Sequence, residues 1–191
     1  MDVQEAIVNR RSIHDFAKKH VERPMLQHIF ATAAWAPTHR MKEPWAIQIV
    51  QGEAKRHYAD QVADSYVREG LADGYAEDKK DRMMEGIKQF LIDIPHHAIV
   101  YMEKDTDQRK YEEDYAAVCA YIQNVQLVSW DAGVGVLWTS NPYIYDPEFV
   151  EARGLDPDMH KIVAVLQMGY PNRIPNARAR TPIIKKLRFM D

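Results

Sequence analysis

Apolar and polar positions alternate along this chain with two periods. Val3, Ala6 and Ile7 recur at helical spacing and predict a short helix over residues 2–10. Pro24 is placed to open a second helix that runs through Trp35 and stops at Pro37. Ala54, Tyr58, Val62 and Tyr66 share one face of an amphipathic helix over 53–70, and 111–132 reads as a long, nearly all-apolar central helix. Four short runs read as strands: 46–50, 98–102, 134–139 and 162–168. Asp146-Pro147-Glu148 supplies an N-cap, a proline at the first helical position and an acid in the first turn, so a short helix follows. Residues 68–85 are dense in charge and carry Gly70 and Gly74, which predicts a solvated loop in preference to a mobile flap. Residues 171–191, with Pro175 and Pro182, read as an extended arm. Interleaved helices and few strands predict an α+β or α/β domain built on a small sheet.

Composition sets the class. At 191 residues the chain is expected to be a single domain, 1–191, without an internal linker. A chain of that size buries about 70% of its unfolded surface and needs no disulfide or structural metal. Apolar residues make up 46% and the net charge is −3, which places it among soluble globular proteins and away from basic nucleic-acid binders. The single cysteine, Cys119, rules out an intrachain disulfide and cysteine-based metal clusters. It lies in the apolar central helix and reads as an inert core thiol. Residues 1–16 contain no apolar run like that of a secretory leader, so a cytoplasmic location is expected. The most apolar stretch, 116–138, is interrupted by Gln123, Asn124, Gln126 and Asp131, which makes insertion into a membrane costly. A buried helix, or one at a dimer interface, is the better reading.

Four segments could carry chemistry. Arg10-Arg11-Ser12, followed by His14, places two guanidiniums and a hydroxyl where they could grip a phosphate; a basic helix end that complements the macrodipole is the competing reading. Residues 35–45 form a proline-bounded polar loop between two tryptophans, with His39 and Glu43 inside it. It can either serve a planar ligand or simply connect elements. Gly133-Val134-Gly135-Val136-Leu137-Trp138-Thr139-Ser140 lets backbone approach a neighbour closely, but it is no dinucleotide fingerprint, and no P-loop is present. Gly169-Tyr170-Pro171 precedes Arg173, Arg178 and Arg180, which either grip an anion or form a solvated basic tail. His96 and His97 are adjacent on a strand and so point to opposite faces, which offers no metal site.

The order of these segments carries more weight than any one of them. Arg10-Arg11-Ser12, Ala36-Pro37 and Pro44-Trp45 before the first strand, Gln123-Asn124 leading to Gly133–Trp138, and Met168-Gly169-Tyr170-Pro171 before a terminal arginine together resemble the FMN-dependent nitroreductase family, in particular its small members. The resemblance spans residues 3–182. It implies an α+β fold with a small, mostly antiparallel sheet flanked by helices, in an intertwined homodimer with an extended C-terminal arm and FMN at the interface. It also implies that Arg10, Ser12 and Arg180 hold the phosphate and ribityl end, with Arg11 beside them and Arg178 as the alternative to Arg180. His39 and Glu43 would reach the flavin from the partner subunit, and Trp138, Thr139 and Ser140 would pack near the ring or phosphate. His14 stands where the family commonly has arginine or lysine at the pyrimidine edge, and Glu43 where glutamine is common. A carboxylate there disfavours the anionic reduced ring, whereas a protonated His14 favours it.

The reaction the resemblance implies is hydride transfer from NADH or NADPH through flavin N5 to an electron-poor acceptor such as a nitroaromatic or a quinone, with ping-pong kinetics. A nicotinamide that visits only transiently needs no dinucleotide motif. The alternative is a protein that stores or senses FMN without efficient nicotinamide turnover, and a flavin-free interaction module is a third reading.

Overall fold

Four strands, β1 (Ala46–Gln51), β2 (His96–Glu103), β3 (Gly135–Thr139) and β4 (His160–Gly169), form one sheet in the order β1-β2-β4-β3, with every neighbour antiparallel. The computed structural model describes residues 1–190. Around the sheet lie helices α1 (Val3–Asn9), α2 (Arg23–Ala33), α3 (Ala54–Arg68), α4 (Glu77–Asp93), α5 (Gln108–Asp131) and α6 (Pro147–Ala152). The expected α+β class and its small antiparallel sheet are therefore found.

Strand alternation divides the interior into two cores. On β2, Ala98, Val100 and Met102 face α2 and α5, where Leu26, Ile29, Val118, Ile122 and Val125 complete the packing. The intervening Ile99 and Tyr101 face α3, α4 and α6, against Tyr58, Val62, Leu91 and Phe149. A register shift between Val100 and Tyr101 adjusts the alternation on β4, so Val163 and Ala164 both join the first core while Ile162 and Val165 join the second.

Helix α5 is the spine of the first core. Its 24 residues span about 36 Å. Asp107 caps it by accepting hydrogen bonds from the Arg109 and Lys110 amides. Trp45 stacks on the buried Tyr121 with ring centroids 4.7 Å apart, fixing the chain just before β1 against this helix.

The charged stretch 68–85 corrects the sequence expectation. Residues from Glu77 onward form α4 rather than a solvated loop. Seven of the nine residues from Glu77 to Glu85 are charged, which hides the apolar stripe of Met84, Ile87 and Leu91 that packs on α3. Glu77 and Asp78 also sit in its first turn, where negative charge is favourable.

Residues 171–190 form the extended arm, which lies exposed with one short helical turn at Ile183–Lys185; Asp191 lies outside the described residues. Among the described residues no helix is long and apolar enough to cross a membrane, and no group of three or more His, Cys, Asp or Glu side chains is arranged to hold a metal ion.

Candidate active site

Helix α1 begins with a capping box between Asp2 and Glu5, and the Met1 ammonium pairs with Asp131 at the end of α5 at 2.9 Å. Beyond α1 the chain turns extended and joins the sheet. Ser12 bridges Val136 in parallel, and the Ile13 amide donates to the Val136 carbonyl at 3.2 Å. Ile13 is fully buried on Gly135, where an added Cβ would lie 2.6 Å from Ile13 Cγ1, so only glycine permits this approach. Further along, the Ala17 amide donates to the Tyr170 carbonyl, and Asn172 donates to Asp15 through both backbone and side chain. The N-terminal strip and the root of the arm are thereby fastened side by side.

That fastening brings together residues from opposite ends of the chain. Arg10, Arg11, Ser12 and His14 line one side of a cleft of about 670 Å³, and Arg178 and Arg180 line the other. Arg10 Nη1 donates to Oε1 of the buried Gln126 at 3.3 Å, and Gln126 in turn donates to Gln123 at 3.2 Å. Burial, with the Arg180 and Arg11 guanidiniums as further causes, lowers the Arg10 pKa. Among the described residues none of the four arginines lies within 4.0 Å of a carboxylate oxygen. The cleft is thus a patch of uncompensated positive charge. Arg11 also donates to the Val8 and Arg10 carbonyls at 2.7 and 2.8 Å. It therefore caps the end of α1 as well as facing the cleft.

The remaining expected residues lie elsewhere in the chain. Trp138 and Thr139 occupy the far end of β3, and Ser140 follows it. Trp138 packs on the core, Thr139 Oγ1 donates to the Val165 carbonyl at 2.9 Å, and Ser140 is exposed. Val136 beside Ser12 and Ser140 are four residues apart, or about 13 Å along the strand. His39 opens a short helical turn (His39–Met41) beside the N-terminal half of α5, 4.0 Å from Glu113. Glu113 and Gln126 are 13 positions apart on α5, about 20 Å along its axis. One chain alone therefore does not bring His39 and Glu43 to the cleft.

The loop that carries them is strained. Arg40, Met41 and Glu43 all have positive φ, at 49°, 57° and 48°. Each such residue costs about 1–2 kcal/mol when it is not glycine. Lys42 lies among them, and its ammonium pairs with the buried Asp114 of α5. Sequence reasoning missed this pin as well as the role of Gln126. The visible signal for Gln126 was its place, with Gln123, among the apolar residues of α5, whereas Asp114 ends the acidic run Glu112-Glu113-Asp114 and does not stand out in it.

The two strand histidines are structural. His96 Nε2 accepts the Val21 amide at 2.9 Å while Nδ1 lies 3.0 Å from Gln51 Oε1; His97 Nε2 lies 2.8 Å from the Leu91 carbonyl. Burial holds both well below the ordinary value, at about 4. Cys119 is half-buried, and burial raises its thiol pKa, as suits an inert thiol.

A sequence profile described as "Nitroreductase family" matches residues 7–170. The chain belongs to the nitroreductase family. YfhC of Bacillus subtilis (strain 168), provisionally named an NAD(P)H nitroreductase, is 32% identical over 181 residues, covering 95% of this chain and 90% of YfhC. The crystal structure of a nitroreductase-like family protein from Bacillus cereus superposes with a TM-score of 0.89 at 33% identity, covering 100% of this chain and 96% of that one. The FMN-dependent nitroreductase NfnB from Mycobacterium smegmatis, solved with NADPH, shares the fold at a TM-score of 0.75 and 18% identity, with 98% and 97% of the two chains covered. The nitroreductase match reaches from α1 to the root of the arm, so it includes Arg10, Arg11, Ser12 and His14 but stops before Arg178 and Arg180.

Proposed function

We propose that this nitroreductase-family chain is an FMN-dependent NAD(P)H oxidoreductase that acts as a cytoplasmic homodimer. The observation that carries the reading is the cleft in which Arg10, Arg11, Arg178 and Arg180 gather with no carboxylate among the described residues to compensate them. A phosphate monoester carries a charge of about −1.5 to −2 at neutral pH and offers three acceptor oxygens, so it suits this donor set. Arg10 and Arg180 would hold the FMN phosphate, with Ser12 donating its hydroxyl and Arg11 and Arg178 flanking. His14 would face the pyrimidine edge, and Trp138, Thr139 and Ser140 would line the ring or phosphate. When bound there, FMN would supply the redox chemistry between NADH or NADPH and an electron-poor acceptor such as a nitroaromatic or a quinone.

A second copy of the chain completes the site in this reading. The separation of about 20 Å along α5 keeps His39 and Glu43 away from their own cleft, so they would serve the partner's. Val3, Ile7, Val8, Trp35 and Met41 are exposed apolar side chains, as are Ile183, Ile184, Leu187 and Phe189 of the arm. Surface of this kind is what an intertwined dimer would cover. The names of YfhC and NfnB support a nicotinamide donor, since both refer to NAD(P)H or NADPH.

The test is a visible spectrum of the purified protein, followed by anaerobic addition of NADPH or NADH. Bound flavin absorbance that bleaches on mixing, parallel double-reciprocal plots with a quinone, and a dimeric mass by light scattering are expected. A colourless protein that gains no flavin absorbance with added FMN refutes the reading. Bound flavin that bleaches only slowly refutes the turnover and leaves storage or sensing.

A further inference from the structure

Three non-glycine residues with positive φ within four positions, Arg40, Met41 and Glu43, persist only where the surroundings over-determine the backbone. Apolar burial does not supply that constraint here, because Met41 is 76% exposed and the segment 39–43 contains no buried residue. The ties are polar. The Glu43 amide donates to Thr38 Oγ1 at 3.0 Å, and the Lys42 amide donates to the His39 carbonyl at 3.1 Å. These two close the loop upon itself. Its links to the rest of the molecule are the Lys42 ammonium, paired with Asp114 and lying 3.7 Å from Asp105, and the longer His39–Glu113 contact.

Asp114 differs from the other acids near the loop. It is 4% exposed on the central helix, whereas Glu113 is largely exposed. A carboxylate buried to that degree needs a cationic partner, and Lys42 supplies it from the middle of the strained segment. The ion pair therefore joins the loop's backbone conformation to α5, the long helix packed in the first core.

We propose that Lys42 is a positioning residue whose ion pair with Asp114 locks residues 38–43 in the conformation that presents His39 and Glu43 to the flavin. The proposal rests on the flavin reading for its last step only; the locking itself is a property of the chain. The Lys42 ammonium is engaged by Asp114 and Asp105 of its own chain. It acts by holding a preformed surface, which lowers the ordering cost that binding must otherwise meet.

Three variants separate this role from simple neutralisation of Asp114. Lys42→Met removes the pin and leaves a buried charge. The double variant Lys42→Met/Asp114→Asn removes the pin and the buried charge together. Lys42→Arg keeps both the charge and the tie. Amide hydrogen exchange over residues 38–43 and fluorescence titration with FMN are measured on each full-length protein. Exchange in the loop faster by about tenfold, with FMN affinity about tenfold weaker, is expected in both Lys42→Met proteins, and near-native values in Lys42→Arg. A double variant with native loop exchange and native FMN affinity overturns the proposal, because Lys42 would then serve only to neutralise Asp114. If the unaltered protein does not bind FMN, the flavin reading fails, and the exchange measurement still decides whether Lys42 locks the loop.

Discussion

His97 gives a prediction whose size follows from the structure. The ring is fully buried between β2 and α3, tilted against Tyr58 at 4.7 Å. Its Nε2 donates to the Leu91 carbonyl, and Nδ1 is buried with no hydrogen-bond partner. A second proton would place a charge on a nitrogen that has no acceptor, close enough to Lys55 and His96 to be repelled by both. Burial, the largest cause, lowers its pKa from 6.5 to about 4. The unfolded chain thus binds the proton more readily than the folded one, so the stabilisation is fully present above pH 6.5 and is lost as pH falls through 4. The whole gap corresponds to about 3 kcal/mol, and the portion lost between pH 7.5 and pH 5 is about 2 kcal/mol. Urea unfolding of the native protein and of His97→Gln, which retains a donor for Leu91, isolates this contribution from other titrating groups. The native protein should lose about 2 kcal/mol more than the variant over that interval. Equal losses in the two proteins would refute the assignment of a neutral, proton-refusing His97.

Two further outcomes follow from the cleft and its fastening. Arg10→Ala should weaken FMN binding by about 10- to 150-fold, because it removes a charge-assisted contact worth roughly 1.5–3 kcal/mol; unchanged affinity by flavin fluorescence would remove Arg10 from the phosphate site. Gly135→Ala should destabilise the fold by about 1–3 kcal/mol in thermal unfolding, since the new methyl meets Ile13 at 2.6 Å, and a native melting temperature would show that the Ser12 strip does not depend on this contact.

Much of the architecture was legible because local signals agreed with the fold. Pro24, Asp146-Pro147 and the apolar periods of 54–66 and 111–132 marked elements that the structure contains within a few residues. The charge run of α4 misled because its apolar stripe is narrow and is completed only by α3. The site divided in the same way. Arg10 to His14 and Arg178 to Arg180 carried readable donor chemistry, and the structure places them on one cleft. The strain at Arg40, Met41 and Glu43 was not readable, because nothing in a histidine–arginine–methionine run signals positive φ. Its cause lies 72 positions away at Asp114, and pairings at that separation leave no periodicity in the chain.

The two walls of the cleft have a consequence for timing during synthesis. Ser12 and Pro175 are about 160 residues apart, and at 5–20 residues per second the second wall emerges about 8–30 s after the first. Sheet and helices can assemble during that interval, before the arginine pair of the arm reaches the cleft. Charge gathered there early would repel with nothing to offset it. Placing Arg178 and Arg180 after the last strand lets the sheet and helices form before that repulsion is complete, so the second cationic wall closes on a sheet that is already built.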